Sequence, residues 1–473
     1  MAFWGVAMAC GPHINDTHVD FARAMRGWVF ARKALVLAGK CTPLERALIE
    51  AVGCRYADPP PENRRPLDEA YAAAMVRICN DFPDDAEVGA LAADSLLDLR
   101  PWDQWTLDGK AQPGTEQVIH LLTAAMRKCP AHPLAFHLFI HAVEASPHPE
   151  MADSAADRLR DLTPALGHLL HMPSHIDMRR GRWSLAEIAN EKAIQADARF
   201  RVLFPDQRYY GISIMHEYHS LAYAAMMQGK NRKATDAIQN LVSTIPKPMH
   251  EHPAEYIDGY LSMPYEAHLR FGRWSEMLAE PKPGSWFPYA TAMWHYGRGI
   301  ALAAQSQVRG ARVEQHAFLE AQKAVPQRRF RSIGTASLLS SAERMLAGEI
   351  DYRDGKLEEA VVALREATQL QDGVRYTEPP IWFIPARHAL GAVLLRAGRA
   401  AEAEAVYRDD LSHYPENGWA LYGLARSLAM QGKKAQARTV SARFEKAWKD
   451  ADFRISSSCC CLPLHDQSTL NGP

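Results

Sequence analysis

Apolar residues recur along this chain at the three-and-four spacing of amphipathic helices, and the periodic stretches are punctuated by glycine. The punctuation reads Arg180-Gly181-Arg182-Trp183, Gln228-Gly229-Lys230, Phe271-Gly272-Arg273-Trp274, Asp354-Gly355-Lys356, Ala397-Gly398-Arg399 and Gln431-Gly432-Lys433. Each glycine follows an apolar helix and precedes a second one rich in Ala and Glu. That position predicts a residue at positive φ, closing one helix before a tight reversal. The intervals are 48, 43, 83, 43 and 34 residues, and the interval of 83 predicts one more turn near Gly310. Alternating β-branched runs bounded by turn chemistry are missing, so strands are not expected.

The last interval equals the tetratricopeptide period. Residues 384–417 carry the matching composition: Leu390-Gly391 in a first helix, Gly398 at the turn, Ala403 and Tyr407 in a second helix, and Pro415 at the close. The expected fold is all-α, a right-handed α-solenoid of stacked tetratricopeptide-like hairpins, with an irregular all-α domain as the alternative. Small residues let the paired helices approach and large ones fill the gap.

The pattern divides the chain into helical hairpins over 1–99, a loop insertion over 100–117, histidine-rich repeats over 118–310, C-terminal repeats over 311–453 and a disordered tail over 454–473. The start reads as a helix entered midway, so the first repeat is expected to be truncated. The 100–117 insertion carries Trp102 and Trp105 and reads either as a lid over a pocket or as a tryptophan-anchored structural loop. A second insertion, Tyr376 to Pro385, precedes the C-terminal repeats.

Composition narrows the function classes. Apolar residues make up 47% and charged residues 23%, with a formal net charge of −1, which reads as a folded soluble chain. With no long basic run, nucleic acid and anionic membrane are set aside as partners. No apolar run reaches the length of a spanning helix. Cysteines Cys10, Cys41, Cys54, Cys79 and Cys129 are scattered, and Cys459, Cys460 and Cys461 are adjacent. Scattered single thiols predict a reducing, cytoplasmic location.

The chemistry-bearing stretch is His168-Leu-Leu-His171-Met-Pro-Ser-His175, whose histidines fall on one helical stripe. His168, His171 and His175 lie 13, 10 and 6 residues before Gly181. His216 and His219 lie 13 and 10 before Gly229, with Tyr223 at 6, and Glu266 lies 6 before Gly272. Equivalent positions in stacked hairpins face the same way, so these residues are expected to share one surface with His137, His141 and Glu144 of the preceding helix. Imidazoles at such spacings chelate a divalent transition metal, so His137, His141, His168, His171, His175, His216 and His219 are the candidate ligands for iron, copper or zinc. Pro173 is expected to break the helix there and re-aim side chains. The competing reading is a hydrogen-bonded histidine network that holds the stack together. Trp102, Trp105, Tyr223, Glu266, His295 and Trp382 are candidates for a substrate pocket, the last as part of Glu378-Pro-Pro-Ile-Trp382. His388 and other lone histidines, including His250 and His252, read as satisfied polar groups.

Several runs resemble a widespread family of long tetratricopeptide-like proteins whose vertebrate representative is called tetratricopeptide repeat protein thirty-eight. They are His137-Leu-Phe-Ile-His141-Ala-Val-Glu144, Gly167-His-Leu-Leu-His-Met-Pro-Ser-His-Ile176, the His216-x-x-His219 helix, Arg100-Pro-Trp-Asp-Gln-Trp105, Phe271-Gly-Arg-Trp274, Trp294-His-Tyr296 and Glu378-Pro-Pro-Ile-Trp382. The resemblance spans about residues 1–453 and implies an α-solenoid with the histidines facing its concave groove, without implying an activity. Glu217 stands where members often have Asn, and the two ends depart from the family pattern. Two functions are therefore expected. One is a metal-dependent oxidoreductase or hydrolase acting on a small molecule, with Glu144 or Glu217 as general base. The other is a non-catalytic scaffold for protein–protein interaction, with a peptide in the groove.

Overall fold

A computed structural model describes residues 1–204, 208–245, 255–327, 329–330, 333–380 and 382–459. Among them the chain is all-α apart from one short antiparallel ladder, Arg329–Phe330 against Ile333–Gly334. No helix among the described residues is long and apolar enough to cross a membrane. The chain forms two compact units, Met1–Thr163 and a second that begins at Pro164.

In the first unit, polar residues start the helices where the sequence offers them. Asp20 accepts from the Arg23 N–H at the head of Phe21–Leu37, and Asp85 does the same for Val88 at the head of Ala86–Leu97. Thr42 and Glu45 form a reciprocal capping box before Pro43–Gly53. The apolar faces meet around Leu48, Tyr71, Met75, Ile78 and Val88. Arg55 is sealed inside, 2.6 Å from Asp98 Oδ2 and 4.5 Å above the Tyr71 ring. The 100–117 insertion is tied down: the Trp105 indole donates to the Ala142 carbonyl at 2.8 Å, and Trp105 pairs with Ala111. This is the structural loop rather than the lid. Trp102 sits on it at positive φ, 38% exposed.

The second unit is built from helix pairs. The six turn glycines all take φ between 66° and 78°. At each, the following N–H closes onto the carbonyl five residues back at 2.7–3.0 Å, the six-residue closure of a Schellman motif. The turn expected near Gly310 lies at Ser306, which takes φ 61° between Pro288–Ala304 and Val308–Lys323. Gly310 itself is in the first turn of the second helix. Between Ala386–Arg396 and Gly418–Met430, a Cβ on Gly391 or Gly423 would fall 2.3 or 2.2 Å from the Tyr407 ring, so both glycines make room for that side chain.

This unit also folds back on its own beginning. The Trp183 indole donates to Pro415 O at 2.9 Å, the Trp419 indole to Met226 O at 2.7 Å, and the Arg232 N–H to Asp452 at 3.1 Å. Residues 382–384 fill the inside of the array, with Phe383 against Tyr223. The buried Arg270 guanidinium lies 3.8 Å over the Trp419 ring and donates to His388 Nδ1, leaving His388 Nε2–H to donate to Asp410. His388 is thus the satisfied core histidine its sequence context suggests, whereas His250 and His252 lie outside the described residues. The expected disordered tail does not begin at 454: Ser457, Ser458 and Cys459 are buried, and Ser458 donates to His388 O.

Candidate metal centre

His171 and His175 come from one nearly continuous helical stretch. Gly167–His171 and Pro173–Arg179 are separated only by Met172, itself in a helical conformation. Pro173 brings no N–H, so the hydrogen-bond ladder breaks there, yet the two histidines stay one turn apart on the same side. Their ring centroids are 4.7 Å apart and their Nε2 atoms 2.7 Å. His216, from Arg208–Met227, brings its ring to 4.6 Å from His171 and 6.1 Å from His175. One ring nitrogen from each of the three lies within 4.8 Å of the other two. Glu378 lies beside two of them, with Oε1 3.9 Å from His175 Nε2 and 4.0 Å from His216 Nε2. His171, His175 and Glu378 are buried, and His216 is partly open.

Asn190, on Trp183–Leu203, sets the protonation pattern. Its amide nitrogen donates to Ala186 O at 2.8 Å, which leaves Oδ1 2.6 Å from His171 Nδ1. An amide oxygen only accepts, so His171 carries its proton on Nδ1 and turns the Nε2 lone pair toward His175. The short Nε2–Nε2 contact is then a hydrogen bond donated by His175. An outer partner that fixes the tautomer of a histidine in this way is the usual support of a metal ligand. Three imidazoles and a carboxylate form a donor set suited to a divalent first-row ion.

The other candidates are distributed differently. His137, His141 and Glu144 belong to the first unit, where the two histidine rings are 4.8 Å apart and His141 Nδ1 is 3.0 Å from Glu144. His168 is half-buried, its ring 6.2 Å from His171. His219 packs among aromatic rings, 5.1 Å from Phe383 and 6.0 Å from Tyr260. Glu217 pairs with Asp197 and accepts from Ser213 at 3.3 Å. Burial, then the Asp197 charge, pushes its carboxyl well above the usual range and favours its protonated form.

The expected pocket residues are packing residues instead. Tyr223 lies among Trp183, Phe383 and Tyr414, and Trp382 against Tyr296. Glu266 accepts the Phe383 N–H at 2.9 Å, and burial raises its carboxyl to about 8. His295 is tied to Glu314, which also binds Arg298. The reason is the fold-back: positions that would line an open groove are covered by residues 382–384 and the last helices. Sequence reasoning passed over Asn190 and gave Glu378 no ligand role. Asn190 was detectable as a polar residue at a core position of its helix, between Ala186 and Ala193.

A tetratricopeptide repeat family model matches residues 394–443. No curated protein matches the chain. Among solved structures, the chain is similar to the human IFIT1 dimer with PPP-AAAA, at 12% identity and TM-score 0.34, covering 90% of this chain and 79% of that one. The human IFIT1 dimer with m7Gppp-AAAA matches at 10% identity and TM-score 0.37, over 91% and 87%. Naa15/Naa10 bound to HypK-THB matches at 13% identity and TM-score 0.28, over 81% and 61%. The chain is a tetratricopeptide-like helical repeat protein. These likenesses also correct the expected partners. The IFIT1 structures hold nucleotide chains and the Naa15 structure protein partners, and the expectation of a small molecule or groove peptide, with nucleic acid set aside, is withdrawn. Net charge sums over a whole chain, whereas a partner meets one face of it, so near-neutrality excludes neither class.

Proposed function

We propose that this helical repeat protein is a scaffold that engages a protein partner. The observation that supports it is the run of helix pairs closed by one repeated turn geometry, part of which matches the tetratricopeptide repeat model. Stacked pairs of this kind present extended surfaces on which other chains dock. Because residues 382–384 and Trp419 fill the interior of the second unit, the exposed helix faces are what remains to meet a partner. The scattered single cysteines support a cytoplasmic location.

The test is capture with the full chain, followed by reconstitution from purified components. A stoichiometric complex that resists nuclease, with hydrogen-exchange protection confined to exposed helix faces, is the expected result. A complex that dissolves on nuclease treatment assigns the surface to nucleic acid, and no reconstituted complex removes the scaffold reading.

A finer reading is favoured by the convergence of His171, His175 and His216: the scaffold carries a divalent transition metal, iron, copper or zinc. Catalysis by that metal has less support, because Glu217 is paired to Asp197 and Glu144 to His141. Element analysis of the purified chain, with His171→Ala and His216→Ala alongside, tests the metal. Stoichiometric metal lost in both variants supports it, and a metal-free wild type removes it.

A further inference from the structure

We infer that Glu378 is the fourth ligand of this metal, so that the ion clasps the connection between Leu357–Asp372 and Ala386–Arg396 onto the histidine helices. The inference rests on the metal reading above. Glu378 is 4% exposed, and its carboxylate lies beside two of the three imidazoles. Its Oε1 stands almost equally far from His175 Nε2 and His216 Nε2, at 3.9 and 4.0 Å.

Donors at about 2.0–2.2 Å from a tetrahedral ion lie roughly 3.3–3.5 Å from one another. The carboxylate therefore needs to move in by about half an ångström, and the His171–His175 pair to open by a similar amount. Binding takes the place of the His171–His175 hydrogen bond: the His175 proton moves from Nε2 to Nδ1, so the ring stays neutral and turns its Nε2 lone pair to the ion. The His171 lone pair is already aimed by Asn190. Three neutral imidazoles and one carboxylate leave a divalent ion with a net charge of +1 and no open position, the arrangement of a structural rather than a catalytic site. The donor set lacks sulfur, which favours zinc or iron(II) over copper(I).

The experiment titrates the chelator-stripped full chain with Co²⁺ and then Zn²⁺, following the visible bands of four-coordinate cobalt and the hydrogen exchange of residues 374–385. Wild type is expected to bind one ion per chain and to gain protection over 374–385. Glu378→Gln, nearly isosteric, is expected to bind more than about 100-fold more weakly and gain no protection, and Asn190→Ala about 10–100-fold more weakly. Matching thermal melts of the stripped proteins check that the variants fold. If Glu378→Gln misfolds, Glu378→Asp serves, with weakened binding expected. Equal affinity in wild type and the Glu378 variants overturns the clasp and leaves the three-histidine reading standing. A wild type that takes up neither ion overturns both.

Discussion

Asn190 shows how much one residue settles. Its amide is oriented by Ala186 O, and that orientation fixes which nitrogen of His171 carries a proton. Glu266 is a second case. Its carboxyl, against 4.5 in an ordinary environment, is raised by burial to about 8, with the Phe383 N–H as its hydrogen-bond donor. The folded state then holds a proton that the unfolded chain releases. The stability this contributes is full below about pH 4.5 and is lost as pH rises through about 8. Wild type is therefore expected to lose stability relative to Glu266→Gln between about pH 5 and pH 8.5, read from urea unfolding at both. Parallel pH curves would contradict a neutral Glu266. In the first unit, Asp98→Ala removes the carboxylate beside the buried Arg55 guanidinium, which keeps Pro12 O and the Asp94 charge, and is expected to cost about 1–3 kcal/mol in the same assay.

At the scale of the element, the turn between paired helices is the repeated device. Its glycines differ in what surrounds them, and the difference is measurable. A Cβ at Gly398 meets nothing within 4 Å, so Gly398→Ala is expected to cost about 1 kcal/mol, the backbone penalty alone. A Cβ at Gly229 falls 2.3 Å from the Trp448 ring, so Gly229→Ala adds overpacking of about 1–3 kcal/mol. Ser306 holds the same left-handed conformation with a side chain attached, and Ser306→Gly is expected to stabilise by up to about 1 kcal/mol. Chemical denaturation of the three variants ranks them, and equal losses at Gly398 and Gly229 would contradict the packing account. These turns were readable from sequence because the requirement for positive φ is local. Ser306 escaped because serine carries no such signal.

For the molecule as a whole, the metal reading makes a thermal prediction. An ion present at one hundred times its dissociation constant stabilises the folded state by about 2.7 kcal/mol. Zinc is expected to raise the melting temperature of wild type and leave His171→Ala unmoved, as followed by differential scanning fluorimetry. The same fold-back that buries Tyr223, Glu266 and Trp382 brings Glu378 to the histidines, so loss of the ion is expected to loosen residues 374–385 first.

The amino-acid sequence by itself determined the helices, the turn glycines, the repeat and the i, i+4 pairing of His171 with His175. Each depends on interactions within a few residues: apolar periodicity, backbone conformation and helix pitch. Only the tertiary structure decided which faces are covered and which side chains converge. Bringing His216 to His171 and Glu378 beside His175 and His216, and turning would-be groove residues into core, depends on contacts between segments far apart in the chain. Their pairing is set by how the helices pack around a shared interior, and no local pattern encodes it.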